Sequence, residues 1–188
     1  MSGLSTFRAT YEDYSSISPK GILIVIVSYN ACHLMQENIR SIRQTVPEGC
    51  YKIVVVDNAS EDGITEWLAQ QEDIILLCNR ENIGFGPANN QGVAATCGTE
   101  YEDWDVFLLN NDTRLAENSL YFLKQALYSA EDVGAVGSIS NYAGNKQEIY
   151  EEFESVEEYL DFGRTNNQPQ DACVGLSYEE RVRLTGFA

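Results

Sequence analysis

Four stretches of this chain are apolar with no polar interruption: ILIVIV at 22–27, KIVVVD at 52–57, DIILLCN at 73–79 and DVFLLN at 105–110. A strand with one wet face alternates apolar and polar side chains. One that is apolar at every position is buried on both faces, and such strands build mainly parallel sheets covered by helices. The intervening segments fit that scheme. Leu34, Ile39, Ile42 and Val46 recur at helical spacing after the first run, and Pro47 and Gly49 end that helix. A short helix is expected around 64–70, and another through about Thr96 with Pro87 in its first turn. A further helix is expected over roughly 117–130, and VGAVGS (133–138) reads as a fifth strand. Strand alternating with helix defines an α/β fold with helices on both faces of the sheet.

Every apolar run ends abruptly in polar residues: Ser28-Tyr29-Asn30, Asp57-Asn58, Asn79-Arg80 and Asn110-Asn111-Asp112. Ligands of open α/β sheets bind outside the carboxyl ends of the strands, so these residues are expected to converge on one site. That edge offers two carboxylates, Asp57 and Asp112. A single carboxylate among amides is a poor all-protein metal cage. It suits Mg2+ or Mn2+ when the ligand supplies phosphate oxygens of its own. Asp57 suits hydrogen bonds from a base or sugar, and Tyr29 suits packing on a nucleobase. Both aspartates also suit a bland role, because Asp caps helices and holds turns.

Other chemistries find little support. The chain carries 12 basic and 29 acidic side chains, a net charge of −17, which disfavours a nucleic-acid backbone or anionic lipid as partner. Five cysteines at 32, 50, 78, 97 and 173 form no C-x-x-C pair, so neither a zinc site nor a disulfide framework is expected, and reduced thiols fit a cytoplasmic protein. No apolar run approaches the roughly 20 residues of a membrane span, and no signal-peptide core is apparent. Asn58-Ala59-Ser60 and Asn111-Asp112-Thr113 match glycosylation triplets by coincidence of polar loops. Gly84-Phe85-Gly86-Pro87-Ala88-Asn89 approaches a dinucleotide fingerprint, but Asn89 replaces the third glycine and the loop comes after the third strand. A P-loop is absent. The single histidine, His33, leaves no material for a His-based triad and reads as a surface or packing residue.

The ordered segments ILIVIVSYNA, KIVVVDNASEDG, NRENIGFGPANNQG and DVFLLNNDTRL resemble family-2 glycosyltransferases of the GT-A (Rossmann-like) fold, most of all a bacterial, rhamnosyltransferase-like branch. The likeness covers about residues 21–138, and VGSISNYAGNKQ through RLTGFA is similar to the next part of some members. Each segment is weak evidence alone; four in order are strong. The resemblance implies a nucleotide-diphosphate-sugar donor, UDP-, dTDP- or GDP-linked, and a divalent cation. It places Val27, Ser28 and Tyr29 beside the base and ribose, with Asp57 and Asn58 at the base. Asn82, Gly84, Phe85 and Asn89 would lie near the ribose and sugar. Asn110-Asn111-Asp112 falls where the family has its D-x-D motif, with Asp112 matching the metal ligand and Asn110 replacing the first aspartate. The implied reaction is inverting transfer to a glycan or other hydroxyl acceptor, in polysaccharide or glycoconjugate assembly. A non-catalytic nucleotide-sugar-binding module is the alternative. A sugar-nucleotide nucleotidyltransferase is disfavoured, because the first strand ends without the Gly-rich basic loop that would hold a triphosphate.

The expected organisation is an aromatic arm at 1–20, a nucleotide-sugar-binding core at 21–143 and an acidic extension at 144–188. Residues 148–161 hold seven acidic groups and no basic one, and Ser155-x-x-Glu158 matches a capping box opening a short helix. GRTNNQPQD (163–171) reads as a loop, and RLTGFA as the start of another strand, so the domain is expected to continue past residue 188. The family's general base would lie in that continuation.

Overall fold

Among the described residues the apolar runs form one four-stranded sheet in which every pairing is parallel. The computed structural model describes residues 7–138, 152–155, 157–158 and 161–162. The elements run α1 (Tyr11–Ile17), β1 (Ile22–Ser28), α2 (Cys32–Thr45), β2 (Tyr51–Asp57), α3 (Ile64–Leu68), β3 (Ile74–Cys78), α4 (Phe85–Ala94), β4 (Asp105–Asn110) and α5 (Ser119–Leu127). The chain divides into two units, 1–121 and 122–188.

The sheet order is β3-β2-β1-β4. Parallel neighbours need crossover helices, which α2 and α3 supply while the chain moves outward from β1 to β3. The connection through α4 then carries it back past β2 and β1 to place β4 on the other side. The order therefore reverses at β1, and a crevice is expected at the carboxyl ends of β1 and β4. The register aligns those ends: Ser28 pairs with Asp57, and Val27 pairs with both Val56 and Asn110.

Two buried faces hold the sheet. On one, Leu23, Val25 and Val54 pack with Ile75, Leu77, Val93, Tyr101 and Trp104, while Val27 and Val56 pack with Ala88. On the other, Ile24, Ile26, Ile53 and Val55 are fully buried. Each buried aliphatic side chain of this kind contributes about 1.5–3 kcal/mol. The close seating of α4 depends on Gly92. A Cβ there would lie 2.6 Å from Val25 Cγ1 and 3.2 Å from Val56 Cγ2.

Several local expectations are corrected. Among the described residues, strand β4 is not covered on both faces: Val106 and Leu108 are 48% and 52% exposed. They pair with Leu23 and Val25 and so share the α4 side of the sheet, but α4 lies across β1 and β2. Residues 133–138 form no strand, since two glycines in six residues weaken strand pairing and Val136 is exposed. Leu34 is exposed, because the buried side of α2 is set by Met35, Ile39 and Ile42, with Asn38 and Ser41 among them.

Within the segment expected to be an arm, residues 11–17 form a helix. Its start is a reciprocal capping box: Asp13 N–H donates to Thr10 Oγ1, and Thr10 N–H donates to Asp13 Oδ2. Tyr14 is buried with its ring edge-on to Tyr121 at 5.4 Å, and the Asn118 side chain bonds the backbone of Phe7 and Ala9. In the second unit, Glu158 N–H donates to Ser155 Oγ at 3.2 Å, one half of the capping box expected there. The 163–171 loop and RLTGFA lie outside the described residues.

Candidate functional site

A pocket of about 260 Å3 opens at the carboxyl edge of the sheet. Its lining is Val27 and Tyr29 after β1, Asn58 after β2, Asn82 and Phe85 at the entry to α4, and Asn110, Asn111 and Asp112 after β4. All eight are among the residues that sequence and resemblance single out. The strand ends are polar because they surface together here. Tyr29 and Phe85 are each about half exposed, at 50% and 54%, so both rings are open to a ligand.

The remaining four of those residues lie behind the lining. Ser28 is fully buried, and its hydroxyl has no hydrogen-bond partner among the described residues. Asn89 is 5% exposed and donates to the Phe85 carbonyl at 2.9 Å, so it shapes the first turn of α4. Gly84 enters α4 at φ +89, a conformation that favours glycine, and its carbonyl accepts from Asn58 Nδ2. Asp57 is 2% exposed.

The two carboxylates of the edge are in opposite states. Asp57 Oδ1 accepts from Ser60 Oγ at 2.5 Å, and Oδ2 accepts from Ser60 N–H at 3.1 Å and Thr65 Oγ1 at 3.0 Å. Its oxygens hold the turn after β2, where a base N–H was expected to donate. Such charge-assisted bonds are stronger than neutral ones, and they fix the turn firmly. The next-but-one residue, Ala59, sits at φ +65, a left-handed conformation uncommon outside glycine. Asp112, by contrast, is exposed, lines the pocket, and accepts no hydrogen bond from any described residue. The turn-holding role that suits either aspartate thus falls to Asp57, and Asp112 is left open to a ligand.

An amide network supports the pocket wall. Asn79 and Gln91 bond each other reciprocally at 2.9 and 3.0 Å. Asn79 also donates to Asn58 Oδ1 at 2.9 Å, which turns Asn58 Nδ2 toward Asn82 Oδ1 and the Gly84 carbonyl. Asn82 Oδ1 in turn accepts from Gly84 N–H at 2.9 Å. The β3 exit, the β2 exit and the start of α4 are joined in this way. On the other side, Cys32 N–H donates to Asp62 at 2.7 Å and Asn30 N–H donates to Ser60 Oγ at 3.0 Å, tying the β1 exit to the β2 turn. At the end of β3, burial and then the charge of Asp57 push the Cys78 thiol up, which disfavours a reactive thiolate there.

The donor set decides what cation the pocket suits. No group of three or more His, Cys, Asp or Glu side chains that could hold a metal occurs among the described residues. The lining offers one carboxylate and several amide oxygens, with no Lys or Arg. That does not fit a zinc or calcium cage. Its chemistry would suit Mg2+ or Mn2+ only with Asp112 as the single carboxylate and phosphate oxygens supplied by a ligand.

Asn79 was expected at this edge as a polar strand end, whereas Asn38, Ser60, Thr65 and Gln91 were not singled out for the site by the sequence. Of the latter, only Asn38 carried a signal, as an amide at helical spacing among the apolar residues of α2.

A comparison with curated proteins found no match. Among solved structures, the chain is similar to the mannosyltransferase PcManGT from Pyrobaculum calidifontis in complex with GDP-Man and Mn2+. The identity is 22% and the TM-score 0.47, over 60% of this chain and 33% of that one. It is also similar to S. aureus TarS 1-349 in complex with UDP-GlcNAc, at 16% identity and TM-score 0.47, over 63% of this chain and 38% of that one. The chain therefore spans about a third of the length of these structures. Residues 23–178, well over half of the chain, match the family described as Glycosyl transferase family 2. With its parallel α/β sheet of GT-A type and its pocket at the strand ends, the chain belongs to glycosyltransferase family 2.

Proposed function

We propose that this chain binds the donor of an inverting glycosyltransferase, which moves a sugar from a nucleoside-diphosphate carrier to an acceptor hydroxyl. The observation that carries the reading is the contrast at the strand ends: Asp57 is committed to its turn, while Asp112 is open in a pocket lined by amides and two exposed aromatic rings. Tyr29 or Phe85 offers a face to a base. Asn82 and Asn111 offer donors and acceptors to ribose and sugar hydroxyls, and the buried Asn58 supports Asn82 from behind. The pocket is smaller than the roughly 300–1,000 Å3 of enclosed ligand sites, so it takes part of a nucleotide sugar and leaves the rest outward, where an acceptor can approach.

Electrostatics support a cation. A diphosphate brought against Asp112, with no Lys or Arg in the lining, would meet repulsion unless a positive charge intervened. Mg2+ or Mn2+, when bound, would neutralise the charge that develops on the departing diphosphate. Asp112 holds the cation, Asn111 orients the sugar or ribose beside it, and the aromatic rings fix the base at the other end. The catalytic base is assigned to no residue of this chain.

Calorimetric titration with UDP, dTDP and GDP, with and without Mn2+, tests this on the wild type and Asp112→Ala. Micromolar binding of one nucleotide is expected, weakened about 10-fold or more when Mn2+ or Asp112 is removed. A folded wild type that binds none of the three refutes the reading. Binding that ignores both Mn2+ and Asp112 refutes the metal assignment and leaves a nucleotide-binding module.

A further inference from the structure

Asn38 is a polar side chain buried where an apolar one would pack. It lies on α2 with Met35, Ile39 and Ile42, all four fully buried. Its Nδ2 donates to the carbonyl of Asn110 at 2.9 Å and to the carbonyl of Thr113 at 2.7 Å. Those carbonyls are the two ends of a turn closed by Thr113 N–H donating to the Asn110 carbonyl at 3.2 Å. The central residues of the turn are Asn111 and Asp112, which line the pocket. One amide group thus spends both its hydrogens on the two ends of the turn that presents the open carboxylate. Three residues along, on the same side of α2, Ser41 Oγ accepts from Leu115 N–H at 3.0 Å and donates to the Asn38 carbonyl at 2.7 Å. Helix α2 therefore grips the segment after β4 at three backbone groups.

The cost of this arrangement is visible. Asn38 Oδ1 is buried with no partner among the described residues, so an apolar residue of similar size would relieve an orphaned acceptor. The Asn110 carbonyl would still be bonded to Thr113, and Thr113 is only partly buried, so its carbonyl could turn to water. Stability alone gives little reason for an amide at this position. Placement of the turn gives a specific one.

We propose that Asn38 and Ser41 are positioning residues, holding the Asn110–Leu115 segment so that Asp112 and Asn111 face the pocket in the geometry that a cation-bound diphosphate requires. The inference rests on the donor-binding reading above for its functional consequence, and on the α2 contacts alone for its structural one. The test uses the 188-residue chain as Asn38→Leu and Ser41→Ala, with two readouts. Amide hydrogen exchange over residues 110–115 needs no ligand. It is expected to quicken about fivefold in each variant while the sheet amides keep their protection. Titration with UDP, dTDP and GDP is expected to show the Mn2+-dependent gain in affinity falling about 10-fold in Asn38→Leu, with a smaller fall in metal-free affinity from the displaced Asn111. Unchanged exchange at 110–115 in both variants overturns the proposal. Faster exchange with an intact Mn2+-dependent gain also overturns it, because Asn38 would then be structural only. If Asn38→Leu fails to fold, Ser41→Ala, which removes one hydroxyl, decides by the same two readouts. A wild type that binds no nucleotide overturns the donor-site reading, and the exchange measurement still decides whether α2 holds the turn.

Discussion

Gly92→Ala is the sharpest probe of how α4 is seated over β1 and β2. The added methyl would sit 2.6 Å from Val25 Cγ1 and 3.2 Å from Val56 Cγ2, and both valines are fully buried. Carbon pairs rest near 3.5–4.0 Å, so the helix must lift by roughly 1 Å or the strands must yield. Overpacking of this kind costs about 1–3 kcal/mol, against which the better helix propensity of alanine returns up to about 1 kcal/mol. A net loss of about 1–2 kcal/mol is expected, equivalent to a fall of roughly 2–8 °C in Tm for a chain of this size. Gly86→Ala is the internal control: it lies in the same helix, and a Cβ there meets nothing within 4 Å. It is expected to be neutral or mildly stabilising. Thermal unfolding monitored by circular dichroism on both variants makes the comparison. In addition, Val25→Ala should partly rescue Gly92→Ala, so that the double variant loses less than the sum of the singles. A Gly92→Ala protein as stable as Gly86→Ala would refute the close seating. Because α4 carries Phe85 and abuts Asn82, the same variant should also weaken nucleotide binding.

The ionic contacts give two more expected outcomes. Asp57→Asn leaves one acceptor oxygen and puts an NH2 opposite either Ser60 Oγ or the Ser60 N–H and Thr65 Oγ1 pair, and it should destabilise by about 1–3 kcal/mol in denaturant titration, with nucleotide binding weakened alongside. Unaltered stability would mean that the carboxylate does not hold the β2 turn. The Arg43–Asp73 pair, with N–O contacts of 2.6 and 2.9 Å, predicts a pH dependence. Partial burial raises the Asp73 carboxyl, but the hydrogen bonds and charge of Arg43 outweigh it and hold the group below its ordinary value of 3.8. A depressed carboxyl contributes stability above its unfolded value and loses it as pH falls through the folded one. Arg43→Ala should therefore cost less than about 1 kcal/mol at neutral pH, since the pair is well exposed, and nothing once pH falls below the depressed value. A cost that persists in acid would assign the effect to packing of the Arg43 stem instead.

The parallel sheet was legible from residue types because burial on both faces demands strands that are apolar throughout, and ILIVIV and KIVVVD satisfy that at every inward position. The convergence of the polar ends has the same origin, since parallel strands all point their carboxyl ends to one edge. Where the pattern failed, pairing and coverage had the deciding voice. VGAVGS carries strand-like residues without the pairing, and Val106 and Leu108 of β4 lie beyond the reach of α4. Nothing in composition separates Asp57 from Asp112, since both come after an apolar strand and precede Asn-, Ser- or Thr-rich turns. Their roles depend on which donors the folded chain brings to each: Ser60 and Thr65 close around Asp57, while nothing described bonds Asp112. The hold of Asn38 on the Asn110 and Thr113 carbonyls lies further still from what a sequence can show, because it joins groups 72 and 75 residues apart. Local patterns thus determined the kind of sheet and the edge where a ligand would bind. Only the tertiary structure decided which carboxylate is spent on the scaffold and which stays open, because hydrogen-bond saturation depends on neighbours in space and not along the chain.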